Sequence, residues 1–159
     1  MKKTKRHSFI TTGLVAENRK GHFNYELTDN FEAGIALLGP EVKSLRQGKV
    51  NIKDAYVVDR DGELYLANFS ILPYDGSLEK TDPKRYKKLL LKKKEISKIK
   101  PALNEKGYAV IPTKLYFNNK GLAKINLSIG KGKNVIDKRE TIKKREWDRA
   151  QHRILKNAK

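Results

Sequence analysis

Apolar and polar positions alternate with a period of two in several stretches of the chain, and that period belongs to strands with one buried face. Residues 122–129 carry the pattern through Leu122, Ile125, Leu127 and Ile129. A second apolar run, residues 108–117, precedes it across Asn118-Asn119-Lys120-Gly121, a turn-forming tetrad. Tyr56-Val57-Val58 and Leu64-Tyr65-Leu66 flank Asp59-Arg60-Asp61-Gly62, where Asp-Gly supplies the positive φ of a tight hairpin. Residues 24–38 offer a further Tyr/Leu stretch that runs into Gly34-Ile35-Ala36-Leu37-Leu38. Several such strands joined by short turns predict a small antiparallel barrel in place of a parallel sheet.

Helical spacing is rarer. Pro40 stands at a first-turn position, Glu41-Val42-Lys43-Ser44-Leu45-Arg46 follows, and Gly48 closes a two-turn helix. Asp82-Pro83 is expected to open a second helix, running through Leu89-Leu90-Leu91 and Ile96 to Ile99, which Pro101 bends or ends. The expected body is therefore mainly β with two or three flanking helices. Strand-like segments stop near Ile129, and Gly130-Lys131-Gly132-Lys133-Asn134 reads as a flexible exit. The boundary is placed there, with residues 1–130 as the folded body and residues 131–159 as a tail. In the tail, Trp147, Ala150, Ile154 and Ala158 fall on one helical stripe, with Lys144, Arg145, Arg149 and Arg153 beside it. So short a stripe cannot hold a free helix, and like charges oppose it further. The tail is expected to be disordered or frayed alone and helical against a polyanion. A helix packed back on the body through Trp147, or one lying on a membrane surface, are the other readings.

Charge changes the picture most. The 159 residues hold 36 Lys/Arg against 18 Asp/Glu, a net of +18, and this field draws polyanions. The tail alone carries 11 Lys/Arg and 4 Asp/Glu. Residues 84–100 carry nine Lys/Arg and one acid, Glu95, and read as a phosphate-binding ridge whose leucines dock on the barrel. Tyrosines in strands are read mainly as core, with stacking on bases as the alternative.

Candidate chemistry narrows the field by elimination. The absence of Cys excludes disulfides and Cys-based metal or nucleophile sites, and His7, His22 and His152 are scattered. Gly130-Lys131-Gly132-Lys133 does not fit a phosphate loop. Asp59-x-Asp61-Gly62-Glu63 resembles part of a calcium loop but lacks its distal Glu, so it is read as the hairpin. No Ser sits in a nucleophile elbow and no His is placed as a base. Neither an enzyme, a metal nor a cofactor is expected. The start, MKKTKRHSFI, is basic like a signal peptide but no apolar run follows, and no stretch approaches a membrane span. A soluble, cytoplasmic protein with no membrane partner is the expectation. A resident ribosomal protein, an RNA-modifying enzyme and an architectural DNA binder are the competing classes on charge alone.

One ordered set of motifs discriminates further. Asn18-Arg19-Lys20, Phe31-Glu32-Ala33-Gly34-Ile35, Glu41 to Arg46 with Gly48, and Asp54-x-Tyr56 are followed by Gly62-Glu63, Lys88-Leu89-Leu90-Leu91, Gly130 to Lys133 and Asp137-Lys138-Arg139. The set closely resembles the SsrA-binding proteins (small protein B, SmpB) of bacteria, from about residue 13 to the end. The resemblance implies an OB-like barrel with flanking helices and a basic C-terminal tail. It implies binding to the tRNA-like domain of transfer-messenger RNA and delivery of that RNA, with elongation factor Tu as an indirect partner, to stalled ribosomes. The tail is then expected to enter the empty mRNA channel of the small subunit beyond the decoding centre, in trans-translation. A monomer is expected.

The resemblance also assigns residues. Asn18, Arg19, Lys20, Glu32, Leu90, Lys92 and Lys124 fall at RNA-facing positions, with Lys43, Arg46, Lys131 and Lys133 joining them as candidates. A carboxylate such as Glu32 can accept hydrogen bonds from base amino groups or, alternatively, serve as a structural acceptor. Leu90 is either an RNA contact or core. Asp137, Lys138 and Arg139 match the tail motif, Asp137 as a cap and the two cations as phosphate contacts. Lys143, Arg145, Trp147, Arg153 and Ile154 complete the ribosome-facing set. Ile136 stands where family members often carry His.

Overall fold

The Asp-Gly turn forms where the sequence places it. In a computed structural model, which describes residues 9–79 and 81–158, Asp61 and Gly62 both adopt positive φ, 54° and 85°. They join β4 (Tyr56–Arg60) to β5 (Glu63–Ala67) in a two-residue hairpin that pairs Arg60 with Glu63. The long hairpin also forms, from β8 (Tyr108–Phe117) and β9 (Ala123–Gly132). The other elements are β1 (Gly13–Glu17), α1 (Arg19–Asn24), β2 (Tyr25–Ile35), α2 (Gly39–Arg46), β3 (Val50–Asn51), β6 (Ser70–Ile71), β7 (Lys87–Leu90), α3 (Lys93–Asn104) and α4 (Val135–Asn157). The basic start, residues 1–8, lies outside the described residues.

Seven strands form one antiparallel sheet in the order β1-β8-β9-β2-β7-β5-β4, and β3 pairs with β6 as a separate ribbon. The sheet curls until β4 comes beside β8, but no ladder joins these two strands. The architecture is thus a curled, open barrel, mainly β and antiparallel, and OB-like in this loose sense. Its inner face is apolar: Leu64, Leu66, Leu89, Val110, Leu115, Ile125 and Leu127 are all buried. Each such side chain contributes about 1.5–3 kcal/mol. α2 packs through Leu45, and α3 through Ile99 and Ala102.

Two expected elements differ. The helix expected from Asp82 to Ile99 is instead a turn, then β7, then α3. β7 runs between β2 and β5, pairing Ile35 with Leu89 and Leu66 with Lys87. Its alternation is in-out-in-out, but Lys87 occupies an inner position, so the period is hidden in sequence. The Lys87 ammonium donates to the carbonyls of Phe69 at 2.8 Å and Pro83 at 2.7 Å. Burial pushes its pKa down to about 8. Pro101 does not end α3, which continues to Asn104. Ile99 and Ala102 on either side are buried, and this packing outweighs the one hydrogen bond that Pro removes. The strand end also moves: β9 continues to Gly132, where Tyr25 pairs with Gly132 and Glu26 with Lys131.

Candidate nucleic-acid interface

Alternation sends every second side chain of the sheet outward, and the strand registers line those residues up in rows. One row crosses five strands: Leu14 opposes Tyr116, Tyr116 opposes Lys124, Lys124 opposes Gly34, and Gly34 opposes Leu90. The next row sets Glu17 against Lys114, Lys114 against Asn126, and Asn126 against Glu32. A bulge between Pro112 and Lys114 shifts the register of β8 just before these residues. The outer face is therefore polar and basic, with Leu14 and Leu90 as exposed apolar points, 54% and 55% accessible.

A groove of about 650 Å³ runs along this face beside the start of α3, and Glu32, Leu90, Lys92 and Lys124 all line it. Four candidates scattered over more than ninety residues of sequence are thereby gathered. Leu90 is not core. Its neighbour Leu89 is 3% accessible and fills the inner face in its place. Glu32 is exposed, and its partner is the Tyr116 hydroxyl, which donates to it. Burial, helped by this bond, pushes the Tyr116 phenol up to about 12.

The other candidates separate into distinct places. Asn18 is buried and caps α1: its Oδ1 accepts from the Gly21 amide at 2.9 Å, and its Nδ2 donates to the Pro112 carbonyl at 2.9 Å. Both side-chain groups are engaged inside the fold, so Asn18 positions the segment that carries Arg19 and Lys20. Arg19 is exposed next to it, while Lys20 pairs with Asp54 at 2.6 Å. On α2, Lys43 lies over the Tyr74 ring and Arg46 over Phe117, with the cations 5.4 Å and 4.9 Å from the ring centres. The basic ridge of residues 84–100 is corrected in its first half. Arg85 forks onto buried Glu41 at 2.6 and 2.5 Å, Lys87 is internal, and Lys88 pairs with Glu63 at 2.9 Å. Lys92, Lys93, Lys94 and Lys98 remain exposed at the start and along α3.

Lys131 is exposed at the end of β9, and Lys133 reaches the His22 carbonyl at 3.4 Å. α4 follows as one helix whose N-cap is Asn134; Asp137, expected as the cap, stands three residues further on and accepts from the Asn134 amide at 3.3 Å. Ile136, Trp147 and Ile154 fall within about 20° of one another around its axis, and all three are more than 60% accessible. Trp147 thus does not anchor the helix to the body. Lys143 borders this stripe, whereas Lys138, Arg145, Arg149 and Arg153 lie toward the other side; Arg139 is exposed. Arg145 is partly engaged, stacked 5.5 Å from the centre of the Phe23 ring. Tyr116, Asn126 and Leu14 carry no signal in the sequence that marks them as site residues. Only the register, shifted by the bulge in β8, makes them neighbours of Glu32 and Lys124.

A curled antiparallel sheet with a grooved basic outer face, continued by an exposed basic helix, defines an OB-like nucleic-acid-binding protein. Among the described residues no cluster of metal-binding side chains occurs, and no helix is long and apolar enough to cross a membrane. The chain belongs to the SmpB protein family, whose model matches residues 15–157. It is 48% identical over 144 residues to the SsrA-binding protein of Sinorhizobium fredii, covering 90% of this chain and 91% of that one. It is 50% identical over 145 residues to the SsrA-binding protein of the Wolbachia of Brugia malayi, covering 91% and 97%. A solved structure of tmRNA-SmpB in the bacterial ribosome aligns with a TM-score of 0.65 at 44% identity, over 79% of this chain and 86% of that chain.

Proposed function

We propose that this protein binds the tRNA-like domain of transfer-messenger RNA through the grooved outer face of its sheet. It acts in trans-translation, carrying that RNA to stalled ribosomes so that incomplete peptides are tagged and the ribosomes rescued. The observation that carries the assignment of the face is the convergence of Glu32, Leu90, Lys92 and Lys124 on one exposed groove. The cations supply the salt-dependent attraction for phosphate, and the carboxylate and leucine supply contacts to bases. Arg19, Lys20, Lys43, Arg46, Lys131 and Lys133 add to the positive field that draws the RNA, and Asn18 holds the segment of Arg19 and Lys20 in place. The protein works by binding and not by catalysis, as a cytoplasmic monomer, and meets elongation factor Tu through the shared RNA.

The tail reads the ribosome. Its helix is about 35 Å long and carries an exposed apolar stripe with cations on the opposite side, which suits a narrow RNA-lined channel. Asp137 starts the helix, Lys138 and Arg139 meet phosphates at the decoding centre, and Lys143, Arg145, Trp147, Arg153 and Ile154 line the channel contact. In the free protein the helix frays, since burial of its stripe is left to the partner. Filter-binding of the full chain and a chain ended after Lys133 tests this division. Both are expected to capture transfer-messenger RNA in preference to ordinary tRNA and duplex DNA, and only the full chain to support tagging. Loss of RNA capture on truncation, or equal competition by all three nucleic acids, refutes it.

A further inference from the structure

Two tyrosine–glutamate pairs stand beside the groove, and they differ in one respect. Tyr65 donates to Glu63 at 3.0 Å while Lys88 binds the same side chain at 2.9 Å. These two bonds hold the Glu63 carboxyl below its usual range, and its charge is already answered. Tyr116 likewise donates to Glu32, with the Asn126 Oδ1 also 3.4 Å from the hydroxyl. Among the described residues, however, no Lys or Arg stands within ion-pair distance of Glu32. This occurs in a chain of net charge +18, with Lys92 and Lys124 lining the same groove. A carboxylate so placed, engaged by a neutral donor alone, keeps acceptor sites open toward the groove.

The geometry points to Tyr116 as a positioning residue that holds Glu32 to receive the Watson–Crick edge of an unpaired guanine in the RNA. This rests on the outer face being the RNA-binding face. A carboxylate matches a pair of adjacent donors, and guanine is the base that offers one, N1–H beside the N2 amino group. Adenine and cytosine set one donor beside an acceptor, and the uracil N3–H lies between two carbonyls that repel a carboxylate. Unpaired bases are the ones whose edges RNA-binding proteins can reach. Gly34 lets the Leu90 side chain lie across the row beside Lys124, since a Cβ there would come within 3.2 Å of the Leu90 Cβ. The base can lie on the exposed Leu90 side chain while Lys92 and Lys124 take the flanking phosphates. Tyr116 contributes through its single hydroxyl proton. Directed at Glu32, it fixes the carboxylate plane.

Fluorescence anisotropy on the full-length protein tests this with ten-nucleotide oligouridines carrying one central guanosine, inosine or adenosine. Inosine lacks only the N2 amino group. The wild type is expected to bind the guanosine oligomer about tenfold more tightly than the inosine one. Tyr116→Phe and Glu32→Gln are each expected to reduce that preference to about twofold, with the salt slope unchanged because no cation is lost. Tyr65→Phe is expected to keep the full preference, since Lys88 still holds Glu63. Equal binding of the three oligomers by the wild type overturns the guanine assignment. A uniform loss for all three in Tyr116→Phe, or an undiminished preference, overturns the positioning role. Should Tyr116→Phe melt early, Glu32→Gln, altered at an exposed site, still decides whether the carboxylate selects guanine. Selective capture of transfer-messenger RNA over duplex DNA is measured alongside. If it persists while the guanine preference is absent, only the role of Tyr116 and Glu32 falls; if it is absent in the wild type, the function itself falls.

Discussion

Leu89 and Leu90 are adjacent and chemically identical, yet the strand gives them opposite work. Leu89→Ala empties a packed site and is expected to cost about 2–5 kcal/mol in a urea melt. Leu90→Ala removes an exposed side chain and should leave the melt within about 0.5 kcal/mol while weakening capture of transfer-messenger RNA. If the two variants lose RNA binding only in proportion to lost stability, Leu90 has no contact role. Lys87 makes a second residue-scale prediction. Burial lowers its folded pKa to about 8 from 10.5, so between those values the unfolded chain holds the extra proton. Stability therefore rises as pH climbs from about 8 toward 10, and Lys87→Met should flatten that rise in urea midpoints taken across the window. Above pH 10 the sign reverses at Tyr116, whose phenol ionises near 10 when unfolded and near 12 when folded.

At the scale of elements, the hairpins, β2 and α2 were legible because their periods and turns are local. Asp-Gly demands positive φ wherever it falls, and Pro40 to Gly48 carries both ends of its helix. Residues 82–90 were not legible, since a lysine holds an inner strand position there and the cations at 84, 85, 87 and 88 have helical spacing. What decides the strand is the vacancy between β2 and β5, which lies far away in sequence. The exit from the body lies two residues later than the local pattern suggests, for the same reason: Lys131 and Gly132 look like a linker but pair with Glu26 and Tyr25. A chain ended after Gly132 is expected to melt near the full-length temperature. One ended after residue 130 loses about 1 kcal/mol of ladder bonding and should melt about 3–6 °C lower by calorimetry.

For the whole molecule, charge sets the affinity and the sheet sets the selectivity. If about six phosphates are engaged, log K for transfer-messenger RNA should fall with log salt with a slope near −5, and a slope near zero would refute the electrostatic account. The composition alone announced a polyanion partner, because net charge adds up irrespective of fold. The motif order announced the family, and the alternation announced a mainly β body with helices at its side. Only the tertiary structure decided which polar residues are spent and which are free. It turned Asn18, Arg85 and Lys87 into internal fasteners and left Leu90 outside. It also brought Tyr116 to Glu32 across 84 residues of sequence. Such pairings depend on strand register, set by bulges and by neighbours on both sides, and no local pattern in the chain encodes them.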